Sequence, residues 1–106
     1  MGDAPDKPDP KGFINLSKKL IGDKLGESNI PIAYVGDTIA DINTVINARK
    51  EIPSQKFISI GIAPPHLHLN SRLKERNSYE KNLRNAGADL ILNSIYDLKD
   101  INLDLF

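Results

Sequence analysis

A chain of 106 residues in which 14 Lys and Arg are balanced by 14 Asp and Glu fits one small domain that buries roughly 60 to 65 per cent of its unfolded surface. It carries no net field to draw it to nucleic acid or to an anionic membrane. The lack of cysteine excludes disulfides, thiolate zinc sites and thiol catalysis. No apolar run approaches the roughly 20 residues of a membrane span. The N-terminus has no basic-then-apolar leader pattern, so the expectation is a soluble, cytoplasmic chain with residues 1–106 as a single domain.

Helical and strand patterns alternate along the chain. After the proline-rich MGDAPDKPDP, Asp9 is placed to cap a helix that takes Pro10 in its first turn. Phe13, Ile14, Leu16, Leu20, Ile21 and Leu25 then recur at three- and four-residue spacing, which predicts an amphipathic helix ending near Gly26. IPIAYVG, residues 30–36, is a continuous apolar run between turn signals, as expected of a strand covered on both faces. Ile39, Ile42, Val45 and Ile46 restore helical spacing up to about Glu51, before Pro53. KFISIGIAPP reads as a second buried strand closed by prolines. RLKERNSYEKNLRNAGA has sparse apolar positions and predicts a surface helix ending at Gly87. DLILN follows as a third strand, and SIYDLKDI as a helical turn or two capped by Ser94. Strands separated by helices imply an α/β fold with a parallel sheet and right-handed crossovers.

In such a sheet ligands bind at the carboxyl ends of the strands, where loops and helix N-termini converge. Asp37 stands at one of those ends, and Asp41 follows about one helical turn later, so both side chains can face one crevice. Two neighbouring carboxylates repel unless a cation or a proton relieves them, and hard oxygen donors suit Mg²⁺. The same spacing also fits a helix start in which Asp37 caps and Asp41 complements the dipole, with no metal.

DKPDP, then a helix, then AYVGDTIAD resembles the haloacid-dehalogenase-like (HAD-like) hydrolase superfamily. Its third motif is a lysine before a helix, often Lys-Pro-x-Pro, and its fourth is an apolar strand ending Gly-Asp-x-x-x-Asp. GIAPP, as the strand after the fourth motif, and NAGADLILNSIYDL, as the ending, extend the resemblance over nearly the whole chain. It implies a Rossmann-like three-layer α/β/α fold and hydrolysis of small-molecule phosphate esters. By this likeness Lys7 steadies the negative charge of nucleophile and phosphoryl group, while Asp37 and Asp41 hold Mg²⁺ directly or through water. The superfamily's opening Asp-x-Asp strand and its Ser or Thr phosphate ligand have no counterpart in this sequence. The chain is therefore expected to be the C-terminal half of a hydrolase, unable to turn over phosphate esters alone. The strand at residues 32–36 would then lack a neighbour, which invites self-association or pairing with an N-terminal half. The competing reading is a non-catalytic binding or interaction module that keeps the same scaffold.

Other features carry less chemistry. His66 and His68, in PPHLHLN, follow a strand on the ligand side, but no cysteine or carboxylate stands at ligand spacing, so they read as loop histidines. Arg72, Lys74, Arg76, Lys81 and Arg84 are interleaved with glutamates and read as a solvated face. Asn15 heads an Asn-Leu-Ser triplet, discounted as a glycosylation acceptor because no secretory signal accompanies it. There is no P-loop, dinucleotide glycine fingerprint or internal repeat.

Overall fold

Strands apolar on both sides need cover on both faces, and the three that meet this description pair with one another in parallel. The computed structural model describes residues 9–22, 25–26 and 30–102. Its elements are α1 (Lys11–Ile21), β1 (Ile32–Gly36), α2 (Ile39–Glu51), β2 (Phe57–Ile62), α3 (Leu73–Ala86) and β3 (Leu90–Leu92), with 3-10 turns at Pro65–His68, Asn70–Arg72 and Ile95–Asp100. The sheet order is β1-β2-β3, with Ile32 opposite Phe57 and Ile60 opposite Leu90. Among the described residues β1 pairs with β2 alone.

Strand alternation divides the core in two. On one face Ile32 and Phe57 pack with Phe13 and Ile14 of α1 and with Val45 and Ala48 of α2. The Phe13 ring meets Tyr34 edge-on at 5.0 Å and Phe57 at 5.1 Å. The opposite face carries Ile58, Ile60 and Leu92, with Val35, Ile62 and Ile101 against them. The two crossovers step across the sheet in the same direction, and right-handedness therefore puts α2 and α3 on one side. Gly61 permits the approach of α3, because a Cβ there would stand 3.2 Å from Leu83 Cδ1 and 3.0 Å from Ile91 Cδ1.

A polar network fixes the amino ends of the strands. Arg49 of α2 donates to the Phe57 carbonyl through Nε (3.2 Å) and Nη2 (2.9 Å) and pairs with Asp89. Asp89 Oδ2 also accepts from the Ser59 amide at 2.8 Å. Buried Gln55 joins the segment before β1 to the one before β2, accepting from Gly26 N at 2.8 Å and donating to Ile30 O at 2.7 Å. The carboxyl ends are left to the loops.

The first helix departs from its periodicity. It stops at Ile21 rather than near Gly26, because Gly22 takes the left-handed region (φ +58°) and its N–H closes onto Lys18 O. Leu16 and Leu20 are 56% and 70% exposed, while Ser17 turns inward. Its hydroxyl donates to Phe13 O at 2.9 Å, so this polar group is satisfied within its own helix. Pro10 takes the cap position given to Asp9, whose Oδ1 instead accepts from Lys11 N at 2.9 Å. The ends of α2 and α3 fall where Pro53 and Gly87 put them. Among the described residues no helix is long and apolar enough to cross a membrane.

Truncating Phe57, 3% exposed, to Ala is expected to cost about 3 to 5 kcal/mol. Leu20→Ser should change stability by less than about 0.5 kcal/mol. Urea midpoints of the two variants measure the contrast.

Candidate functional site

The site begins with a space that only glycine leaves. At Gly36, the last residue of β1, an added Cβ would stand 2.6 Å from Asp41 Oδ2 and closer still to the rest of that carboxyl. Five residues beyond the glycine, Asp41 therefore folds back against the end of its own strand. It is 2% exposed. Its Oδ2 accepts from the amides of Asp37 and Thr38, both at 3.1 Å, and from Thr38 Oγ1 at 2.8 Å, while Oδ1 accepts from the Tyr34 hydroxyl at 3.0 Å. Thr38 Oγ1 in turn accepts from Asp41 N at 3.1 Å, which completes a capping box at the start of α2. Thr38 is the cap, where the metal-free reading had put Asp37. Thr-x-x-Asp before an apolar run is itself a sequence signal of that box.

Asp37 is thereby left with a different task. Its N–H is spent on Asp41, and its carbonyl accepts from the hydroxyl of Tyr79, which reaches over from α3. Its carboxylate accepts no hydrogen bond from a described residue. Burial first, and then the Asp37 and Asp41 carboxylates, hold the Tyr79 phenol above the ordinary tyrosine range, so it remains a donor at neutral pH.

Asp37 and Asp41 both line one cleft of about 630 Å³ at the carboxyl ends of all three strands. Val35, Ile62 and Pro64 supply its apolar wall, and Tyr34, His68, Asn93 and Ser94 its other polar groups. Among the described residues no group of three or more His, Cys, Asp or Glu side chains could hold a metal ion. Of the two carboxylates here, that of Asp41 already accepts from four donors and that of Asp37 accepts from none of the described residues. One open carboxylate is within the one or two that Mg²⁺ takes while keeping several waters.

The remaining sequence candidates separate in space. Lys7 lies outside the described residues. His66 is exposed, whereas His68 lines the cleft, with Nε2 2.7 Å from Ala63 O. A carbonyl only accepts, so Nε2 is the donor in this contact. On α3, Arg72 pairs with Glu75 at 2.7 Å and Arg76 with Glu80 at 3.0 Å, and Lys74, Lys81 and Arg84 are exposed. Arg76 also donates through Nη2 to Asn93 O at 3.1 Å and Asn93 Oδ1 at 3.2 Å. Ser94 caps the last 3-10 turn, accepting from Tyr96 N at 3.2 Å. Sequence reading missed Tyr79, 42 residues from its partner, because no local spacing connects the two.

No family model, no curated protein and no solved structure matches this chain.

Thr38→Ala is expected to cost about 1 kcal/mol through loss of the cap. Gly36→Ala should cost about 1 to 3 kcal/mol, because the new methyl displaces a carboxyl that several donors hold in place. Urea unfolding measures both. The amide shifts of Asp37 and Thr38 report whether Asp41 has left its position.

Proposed function

We propose that this chain carries the lysine and the second carboxylate pair of a HAD-like, Mg²⁺-dependent phosphatase-type hydrolase acting on small-molecule phosphate esters. The observation behind the proposal is the joint placement of Asp37 and Asp41 on one cleft at a strand's carboxyl end, with Gly36 making the spacing workable. In this reading α1, α2 and α3 form one layer of a Rossmann-like three-layer α/β/α core. Lys7 steadies the negative charge of the phosphoryl group. Asp37 presents an open carboxylate, and Asp41 keeps the Asp37 peptide in place while contributing its own charge. Bound Mg²⁺ supplies charge neutralisation at the phosphoryl oxygens.

The 106 residues contain no Asp-x-Asp sequence, so in this reading they supply charge stabilisation and not the covalent step. Charge stabilisation without a nucleophile gives no turnover. The alternative is a non-catalytic binding module, and one observation favours it: Asp41 already serves four donor groups of the helix cap and Tyr34.

Titrating the chain with Mg²⁺ should move the amide resonances of residues 36–41, with weak affinity, and Asp37→Asn should abolish the response. Shifts centred on His66 and His68 would overturn the assignment. Assayed alone with a generic aryl phosphate and Mg²⁺, the chain should show no hydrolysis above background. Robust turnover lost in Asp37→Ala would show that the nucleophile lies within these residues.

A further inference from the structure

The Asp37 peptide is gripped on both sides. Its N–H donates to Asp41 Oδ2 at 3.1 Å, a contact within the turn. Its carbonyl accepts from Tyr79, a contact from a different crossover of the fold. With both its N–H and its C=O engaged, rotation about the backbone at Asp37 is restricted, and the Cα–Cβ bond that carries the open carboxylate keeps its direction. Three residues earlier on α3, Arg76 grips the opposite rim of the cleft at Asn93. Residues three apart share a helix face, so α3 holds both rims at once.

We propose that Tyr79 is a positioning residue that aims the Asp37 carboxylate into the cleft. Its hydroxyl donates to the main chain at Asp37, and Tyr79 is not among the residues that line the cleft. The inference deepens the reading of Asp37 as a cation ligand and rests on it, although its first readout needs no cation.

Tyr79→Phe keeps the ring and removes only the donor. In the full chain, the three-bond couplings of Asp37 are expected to change from one χ1 rotamer to an average, and the Thr38 amide to exchange faster. The apparent Mg²⁺ affinity, read by titration with Mg²⁺ alone, should fall about fivefold, the factor carried by one net hydrogen bond. Tyr96→Phe, the same change at a tyrosine 81% exposed, should leave all three quantities unaltered. A lower melting temperature with Asp37 couplings unchanged would reduce Tyr79 to a structural tie and overturn the inference. So would wild-type Mg²⁺ binding that Tyr79→Phe leaves untouched. If the wild type shows no Mg²⁺ response while Tyr79→Phe frees Asp37, the positioning role stands and the metal reading falls. Should Tyr79→Phe fail to fold, the wild type decides: a slowly exchanging Tyr79 hydroxyl proton close to the Thr38 amide supports the inference, and its absence refutes it.

Discussion

The return of the Asp41 carboxylate onto the end of β1 is the constraint from which the site follows. A buried carboxylate is costly unless donors surround it. Here two amides and two hydroxyls do so, within a segment of eight residues, 34 to 41. One group thus ends the strand, starts the helix and orders the loop between them. Glycine is required at position 36 by lack of space rather than by backbone torsion, since the close neighbour is the carboxyl itself. The open Asp37 carboxylate is a by-product of this economy, because Asp41 and Thr38 have already satisfied the local donors.

Division of labour at the two ends of the sheet follows the same logic. Arg49, Asp89 and Gln55 tie down the amino ends with partners far apart in sequence. At the carboxyl ends Thr38 and Ser94 cap their turns locally, and α3 adds ties from Tyr79 and Arg76. Local closure leaves room above the strands, and that room is the cleft.

Much of this was legible in the sequence, for reasons particular to each element. The strands announced themselves as apolar runs bounded by turn residues, and α2 and α3 ended where Pro53 and Gly87 left no alternative. The parallel sheet followed from the alternation of elements. The end of α1 was not legible, because apolar spacing continues through Leu25 although Gly22 has already turned the chain. Nor was the outward face of Leu16 and Leu20, since Ser17 competes for the interior by bonding to its own helix. Asp37 and Asp41 were visible as a pair, yet their unequal status was hidden, because it depends on which donors each one meets. Tyr79 reaches the Asp37 carbonyl through tertiary structure that no single-sequence pattern encodes.

The contacts that build the site close loops of very different length, and this separates them in time during folding. The capping box spans four residues, Thr38 to Asp41, and can form as soon as α2 begins. The tie from Tyr79 to Asp37 closes a loop of 42 residues, whose entropic cost must be met before the contact returns anything. Helix initiation therefore precedes site assembly. A chain emerging from the ribosome only as far as β2 would contain both partners of the capping box, but its cleft would still lack the wall that the second crossover supplies.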